Sequence, residues 1–472
     1  MLYVSTRGRA PGLAFDDVVL AGLARDGGLY LPAEWPQITP AQFRELGRLS
    51  FPQLSARLLS LFAAPAIDEA TLVGLCEGAY ARFDHQPDIA PVRRIPGDDD
   101  LWLLELFHGP TLSFKDYALQ LLGPLFDLVL ARRGERITIV GATSGDTGSA
   151  AIEACRDRAA VDIFVLHPKG RVTEVQRRQM TTVDAANVHN IAVEGTFDDC
   201  QALVKALFNN GPFRDRYRLA AVNSINWARI AAQIVYYVHA ALNLGAPDQT
   251  VNFAVPTGNF GNVFAAWAAR KMGLPIGRLI VGSNRNDILT RFFSSGKMEK
   301  AIVHATLSPS MDIQVSSNFE RYLFELYDRD GATVGRMMDE FRDAGSFAVD
   351  DARWRQALQV FAAHRLDDEA TTAVMREAYA RSGVLIDPHT AIGVAAARAY
   401  RTRVEGPIVA VATAHPAKFP QAVEAATGTA PPLPERLVDL FTRKEHYSTV
   451  GAEVKEIEGC IAAAVGGSRG GL

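Results

Sequence analysis

The amino-acid sequence predicts an α/β protein in which parallel sheets are wrapped by helices, with a mainly helical domain at the N-terminus. Between residues 136 and 415, short β-branched runs alternate with segments of helical periodicity, the order that produces parallel strands. These runs are apolar almost throughout, which indicates strands that are covered on both faces. The chain has 472 residues, of which 48% are hydrophobic, so it can bury a large core.

The first 95 residues carry the helical part of this prediction. Apolar residues recur at helical spacing in residues 15–32 and 43–62. The proline- and acid-rich stretch 85–100 then indicates a linker. We therefore predict three regions: a helical N-terminal domain at 1–95, an α/β region of two lobes at 96–430, and a C-terminal helical segment with a flexible tail at 431–472.

The α/β region contains the alternation itself. The predicted strands are residues 136–143, 161–168, 188–195, 218–224, 251–258, 278–284 and 407–415. The predicted helices between them are residues 146–158, 198–208, 225–242 and 261–273. Residues 285–383 are more charged and more helical in pattern, and we predict that they form a helical insertion or second lobe.

Composition excludes several functional classes. A net charge of −4 without clustered basic residues argues against a nucleic-acid partner. Four scattered cysteines without a CxxC pair argue against disulfides and thiolate metal sites, and the histidines form no HExxH motif. No apolar run approaches the ~20 residues that span a membrane, and the N-terminus lacks a signal-like segment. We expect a cytoplasmic protein with no metal and no membrane partner.

Loops that follow strands are the candidates for ligand binding, because open α/β sheets bind ligands beyond the carboxyl ends of their strands. The loop GATSGDTGSA at 141–150 offers free N–H groups at a helix start and the polar side chains of Ser144, Asp146 and Thr147. An ordinary capped turn or a dinucleotide-binding loop would also explain it.

A second loop, PTGNFGN at 256–262, has the composition of a backbone nest that holds a phosphate with main-chain amides. A plain strand–helix turn is the alternative. In VNSINWARIAAQ at 222–233, capping explains one of the polar residues, whereas a cluster ending in Arg229 suits an anionic group. Thr413 ends a strand where its hydroxyl could face a ligand, and we expect His415 and Lys418 to be solvated.

One lysine lies where a polar turn enters an apolar helix, in FHGPTLSFKDYALQLLG at 107–123. Lys115 is either a solvated surface charge or an amine held for chemistry, and its position alone does not decide between them.

Together these motifs resemble those of the threonine synthases, a family of pyridoxal-phosphate-dependent enzymes with the tryptophan-synthase β fold (fold type II). YVSTRG at 3–8 and TLSPSMDIQVSSNFERYLFEL at 306–326 add to the resemblance. It covers most of the chain, and only the final 30 or so residues fall outside it. Several motifs in one order are more specific than any of them alone.

The resemblance implies roles for individual residues. Lys115 would be the catalytic lysine that forms a Schiff base with pyridoxal 5'-phosphate. The other implied cofactor contacts are Gly258, Asn259, Phe260, Gly261 and Asn262 at the phosphate, Ser144 and Asp146 near the ring oxygen, and Thr413 at the ring nitrogen. The implied substrate contacts are Thr143, Ser144 and Thr147 at the carboxylate, and Asn223, Ser224 and Arg229 at the substrate phosphate. Related branches often carry Asn at the position of Asp146.

The implied reaction converts O-phospho-L-homoserine and water to L-threonine and phosphate. A phospholyase on the same scaffold, which releases ammonia and a keto acid, would carry similar residues. A nicotinamide dehydrogenase is a more distant alternative, because the strand at 161–168 is followed by no acid for a ribose. A non-catalytic binding protein would not need both the lysine and the nest. The sequence leaves open whether the protein is a monomer or a homodimer.

Overall fold

The structure, a computed structural model, describes residues 1–98 and 101–468. The strands are β1 (Tyr3–Ser5), β2 (Tyr30–Pro32), β3 (Val92–Arg94), β4 (Leu101–Glu105), β5 (Ile137–Ala142), β6 (Val161–Pro168), β7 (Val188–Val193), β8 (Leu219–Ala220), β9 (Val251–Pro256), β10 (Ile276–Ser283), β11 (Lys297–Glu299), β12 (Ser346–Ala348), β13 (Phe361–Arg365), β14 (Ile408–Ala412) and β15 (Ser448–Val450).

The helices include the four of the N-terminal region and the long helices that flank the sheets. They are α1 (Phe15–Ala21), α2 (Pro40–Leu46), α3 (Phe51–Ala63), α4 (Glu69–Tyr80), α5 (Lys115–Arg133), α6 (Asp146–Cys155), α7 (Glu174–Thr181), α8 (Phe197–Asn209), α9 (Gly211–Tyr217), α10 (Trp227–Asn243), α11 (Gly261–Lys271), α12 (Ile288–Ser295), α13 (Phe319–Leu326), α14 (Gly331–Asp343), α15 (Asp351–Val360), α16 (Asp368–Ser382), α17 (Pro388–Tyr400), α18 (Pro420–Thr427) and α19 (Val454–Ser468).

The chain folds into two compact units. Unit 1 contains Met1–Ala118 and Ser224–Pro431, and unit 2 contains Leu119–Asn223 and Pro432–Leu472. Each unit combines two stretches that are separated in sequence. The two units therefore cannot be compared directly with the three consecutive regions predicted from the sequence. The predicted boundaries at residues 95 and 430 remain a prediction.

Unit 1 is built on a six-stranded sheet in the order β13-β10-β9-β14-β4-β3. All pairs are parallel except β3 with β4. The central strands β9 and β14 are buried along their whole length, as apolar strands covered on both faces should be. Small side chains such as Ala254, Ala396 and Ala410 in the core let helix α17 pack closely on this sheet.

The N-terminal part of unit 1 is mainly helical, as predicted. Its helix α2 begins with a capping box, in which the Gln42 amide N–H donates to Thr39 Oγ1 at 3.3 Å and Gln42 Oε1 accepts from the Thr39 amide at 2.8 Å. The short strands β1 and β2 pair antiparallel beside these helices.

Unit 2 is built on a five-stranded parallel sheet in the order β15-β7-β6-β5-β8. Its core joins side chains of the sheet, such as Phe164 and Ile191, to helix α8 and to Ile457 and Ile461 of helix α19. The C-terminal segment therefore supplies both an edge strand and a core helix to this unit.

The structure differs from the predicted elements in several places. The strand predicted at 218–224 is only the two residues of β8, and the region 285–383, predicted as helical, contributes strand β13 to the large sheet. Strands β3 and β4 were not predicted. Helix α19 continues to Ser468, further than the prediction of a flexible tail allows, and residues 469–472 lie outside the described residues.

The four cysteines are free thiols, as the sequence predicted. Across residues 1–98 and 101–468, no helix is long and apolar enough to span a bilayer. In the same part of the chain, no group of three or more His, Cys, Asp or Glu side chains is arranged to bind a metal ion.

Candidate active site

Lys115 begins helix α5 on a segment of unit 1 that is hydrogen-bonded to the chain after strand β14. The Phe114 amide donates to the Thr413 carbonyl at 2.9 Å, and the His415 amide donates to the Leu112 carbonyl at 3.0 Å. The segments that carry the lysine and Thr413 are therefore fixed against each other. Lys115 is only 8% exposed, which excludes a solvated surface charge.

The turn before Lys115, residues 107–114, is held by the next residue, Asp116. Its buried carboxylate accepts from the Thr111 amide at 2.8 Å and from the Thr111 hydroxyl at 2.7 Å. A Cβ at Gly109 would lie 2.4 Å from the Asp116 Cβ, so only glycine fits there. Burial raises the pKa of the Asp116 carboxyl to about 6, although the bonds from Thr111 oppose the shift.

Two residues after β14 were predicted wrongly. Lys418 is fully buried, and its Nζ donates to the Thr111 carbonyl at 2.7 Å. His415 is largely buried rather than solvated, and burial lowers the pKa of its imidazole to about 4, with a smaller contribution from His108. Both belong to the framework that holds the lysine turn.

The Gly258–Asn262 loop connects β9 to α11 in the same unit. Phe260 has a φ of +66°, and its fully buried ring packs edge-on against Phe319 at 5.0 Å between centroids. Among the described residues, the amides of Gly258, Asn259 and Phe260 have no hydrogen-bond acceptor. Free N–H groups in a bent loop before a helix suit an anion, so the phosphate site that the sequence predicted here remains a prediction.

Asn262 completes this loop with an amide side chain that is only partly satisfied. Its Oδ1 accepts from the hydroxyls of Tyr236 and Tyr237 at 2.5 and 2.8 Å. Its Nδ2 is buried without a partner among the described residues. An orphaned buried donor costs free energy unless a ligand accepts from it, so the loop fits a phosphate group.

Helix α10 supplies a guanidinium to unit 1. Asn226 caps the helix, accepting from the Ala228 amide at 2.9 Å, as one of the polar residues was predicted to do. Arg229 follows in the first turn, is 3% exposed, and has no partner in the described residues for Nε and Nη1. Burial lowers the pKa of the Arg229 guanidinium to about 10, so it remains charged at neutral pH and suits an anion.

The loop 141–150 belongs to unit 2 and is shaped largely by its own residues. Thr143 Oγ1 accepts from the amides of Gly145 and Gly148 at 3.0 and 2.8 Å. The buried Asp146 carboxylate accepts from Gln176 Nε2 at 2.9 Å. Ser144 and Thr147 are half-buried, as is Asn223 at the end of the unit's first segment. The ligand roles predicted for these residues remain predictions.

Sequence reasoning assigned no role to Ser316, Asn318 and Arg321, although they lie within the stretch 306–326 that carried part of the resemblance. Ser316 Oγ donates to the Gly258 carbonyl at 2.8 Å, and the Asn318 amide donates to the Asn259 carbonyl at 3.0 Å. These contacts join the predicted phosphate loop to a segment about 60 residues further along the chain. Nothing in the local pattern of the sequence indicated them.

Three family models match the chain. Their descriptions are "Threonine synthase N terminus" for residues 2–80, "Pyridoxal-phosphate dependent enzyme" for residues 88–344, and "Threonine synthase, C-terminal" for residues 390–461.

Whole-chain relatives agree with these models. The threonine synthase of Pseudomonas aeruginosa is 54% identical over 463 residues, which cover 98% of each chain. A solved structure of "PLP bound Threonine synthase from Brucella melitensis" is 50% identical, with a TM-score of 0.95 over 98% of this chain and 99% of that one. The yeast threonine synthase structure is 38% identical, with a TM-score of 0.93 over 99% of both chains.

The fold and these matches are those of a fold type II pyridoxal-phosphate-dependent enzyme, as the sequence predicted. Within that class the chain belongs to the threonine synthase family. The resemblance drawn from the motifs is thus confirmed along almost the whole chain.

Proposed function

We propose that this protein converts O-phospho-L-homoserine and water to L-threonine and phosphate, with pyridoxal 5'-phosphate as its cofactor. The observation that carries the proposal is the combination of three features in unit 1. There a buried lysine on a fixed turn occurs together with a loop three of whose amides, and a buried guanidinium whose Nε and Nη1, have no partner within residues 1–98 and 101–468. Membership in the threonine synthase family supports the same reaction.

In this proposal the Gly258–Asn262 loop holds the phosphate of the cofactor through its free amides and Asn262 Nδ2. Lys115 would hold the cofactor through its aldehyde group, and the Thr413 hydroxyl would lie at the ring nitrogen. When bound, the cofactor withdraws electrons from the substrate Cα and so makes its C–H bond acidic.

Lys115 then takes the proton from Cα and holds it on Nζ for later return to the carbon chain. Loss of a second proton, from Cβ, lets the Cγ–O bond break and phosphate leave; a proton then adds to Cγ, and water adds its hydroxyl to Cβ while Cα regains a proton. Of the three protons released from Cα, Cβ and water, two return to carbon and the third leaves on the phosphate. Arg229 binds the substrate phosphate and stabilises the charge that grows as it departs. Burial of Lys115 and Arg229 limits access of water to these charges.

The roles of the remaining predicted site residues, which belong to unit 2 except for Ser224 of unit 1, are part of this proposal as well. Thr143, Ser144 and Thr147 would bind the substrate carboxylate, Asn223 and Ser224 would bind its phosphate, and Ser144 and Asp146 would serve the ring oxygen of the cofactor. We place the enzyme in the cytoplasm, because four free thiols suit a reducing compartment.

Borohydride reduction of the holoenzyme tests the proposal. We expect a pyridoxyl adduct on Lys115 by peptide mass spectrometry, and loss of the cofactor absorbance band in Lys115→Ala. Lys418 is an internal control, because it is also buried and lies on the segment that is hydrogen-bonded to the lysine turn. An adduct on Lys418, or none, would refute the assignment of Lys115.

Product analysis tests the reaction. Phosphate and threonine should appear in equal amounts from O-phospho-L-homoserine. Release of 2-oxobutyrate in place of threonine would favour the phospholyase.

A further inference from the structure

The phosphate loop needs more than free amides, because the amides must also point towards the anion. In a trans peptide, the C=O and the next N–H lie in one plane and point in opposite directions. A donor that fixes the carbonyl on one side of a loop therefore fixes the direction of the N–H on the other side.

Two donors of the 316–321 segment do this for the loop. Ser316 Oγ donates to the Gly258 carbonyl at 2.8 Å, which turns the Asn259 N–H the opposite way. The Asn318 N–H donates to the Asn259 carbonyl at 3.0 Å, which turns the Phe260 N–H in the same manner. The amides of Asn259 and Phe260 are two of the three that lack an acceptor among the described residues.

The side chain of Asn318 also fixes the segment that precedes α10. Its Nδ2 donates to the Ser224 carbonyl at 3.2 Å, and its Oδ1 accepts from Arg321 Nη1. One residue is thus bonded both to the phosphate loop and to the segment that leads to Arg229.

Arg321 in turn fixes the side chain of Asn318, because Arg321 is itself held by other hydrogen bonds. Its Nη2 donates to the Ile225 carbonyl at 2.5 Å and its Nε to the Tyr30 carbonyl at 3.0 Å. The side chain is fully buried, and its guanidinium lies 5.9 Å from the centre of the Trp227 ring. All three nitrogens are engaged with oxygens of the protein, so Arg321 is a framework group and offers no fork to a ligand.

We propose that Ser316, Asn318 and Arg321 are positioning residues that aim the Asn259 and Phe260 amides at the cofactor phosphate. The inference rests on the proposed function, since that assigns the loop to the cofactor. If these residues served packing alone, altering the Ser316 hydroxyl would change stability without changing how the phosphate is held.

The test compares adjacent serines that differ in burial. Ser316 is 8% exposed and bonded to Gly258, whereas Ser317 is exposed. We expect Ser316→Ala to weaken binding of pyridoxal 5'-phosphate to the apoenzyme by about tenfold, which corresponds to about 1.4 kcal/mol. Ser317→Ala should bind as the wild type does, and Ser316→Thr, which keeps a hydroxyl, should recover most of the loss.

Phosphorus NMR of the holoenzymes measures the surroundings of the cofactor phosphate, which would not change if Ser316 served packing alone. The ³¹P resonance of the cofactor should move towards that of free pyridoxal 5'-phosphate in Ser316→Ala and stay unchanged in Ser317→Ala. Asn318→Asp is a second variant, because an aspartate still accepts from Arg321 but cannot donate to Ser224. It should shift the resonance in the same direction.

The two proposals fail differently. If wild-type enzyme gives no borohydride adduct on Lys115, the proposed function fails. If that adduct forms but Ser316→Ala and Asn318→Asp match the wild type in cofactor affinity and in the ³¹P resonance, the positioning inference fails alone.

Discussion

Arg229 and Arg321 are two buried guanidiniums of unit 1 with opposite surroundings. Arg321 donates from all three of its nitrogens to protein oxygens, whereas Arg229 has no partner for Nε and Nη1 among the described residues. Burial lowers the pKa of the guanidinium in both, to about 9 in Arg321 and about 10 in Arg229. The partners, rather than the burial, separate a structural arginine from a ligand-binding one.

Replacing each arginine by leucine should separate these roles. For Arg229→Leu we expect an unchanged or higher free energy of unfolding of the apoprotein, because a buried unpaired charge is removed. The KM for O-phospho-L-homoserine should rise by roughly 100-fold or more, since two charge-assisted hydrogen bonds of about 1.5–3 kcal/mol each are lost.

Arg321→Leu is the matched control. It should lower the free energy of unfolding by roughly 3 kcal/mol or more, because three buried oxygens lose their donor. Urea unfolding and steady-state kinetics measure both effects. Equal losses of stability in the two variants would contradict the distinction.

At the scale of elements, one carboxyl group fixes the turn that precedes Lys115. Asp116 ties the start of α5 to Thr111, and Lys418 donates to the carbonyl of the same threonine. The bonds between Phe114 and Thr413 and between His415 and Leu112 join this turn to the end of β14. The position of the lysine is therefore a property of two chain segments, and not of the helix alone.

The free energy of unfolding should change with pH as Asp116 titrates. Its folded pKa of about 6 lies above the ordinary value of 3.8, so the folded protein holds this proton more tightly than the unfolded chain. The contribution of Asp116 to the free energy of unfolding is therefore fully present below about pH 4. It is lost as pH rises to about 6, by about 3 kcal/mol in all.

The measurement is urea unfolding of the apoprotein at intervals between about pH 4 and pH 7. In Asp116→Asn this part of the pH dependence should disappear. Asp215→Asn alters an aspartate whose side chain is 71% exposed, and it should keep the pH dependence of the wild type. A wild-type pH dependence in Asp116→Asn would show that other groups cause it.

At the scale of the whole molecule, all four cysteines are free thiols, so no disulfide links any part of the chain that the structure describes. Cys76, Cys155 and Cys200 are buried, and burial raises the pKa of their thiols to about 12, 12 and 11 respectively. Cys460, in α19, is only half-buried, and burial raises the pKa of its thiol as well. Exposure therefore decides which thiol can react.

Thiol titration with a disulfide reagent should give one fast reaction in the native protein and four thiols after unfolding. Cys460→Ser should remove the fast reaction and leave three thiols in the unfolded protein. A reducing agent should not change the urea midpoint. Fewer than four thiols in freshly unfolded wild-type protein would indicate a disulfide and contradict the structure.

Much of the fold and part of the site could be predicted because their signals are contiguous. Strands such as β6 and β9 are apolar runs, and their positions follow from local periodicity. Among the strands that were missed, β4 lies beside a linker and β13 within a charged region, where neighbouring residues mask a run of five. Their place in the sheet depends on partners that are distant in the chain.

The sequence by itself determined the alternation of strands and helices, the family motifs and the identity of the candidate lysine and phosphate loop. Each of these lies within a short stretch of chain. Only the tertiary structure decided which arginine lacks a partner, that Lys418 is buried, and what orients the phosphate loop. Those properties arise from contacts such as Arg321 with Tyr30, 291 residues apart, and a hydrogen bond across such a separation leaves no periodic trace in the sequence.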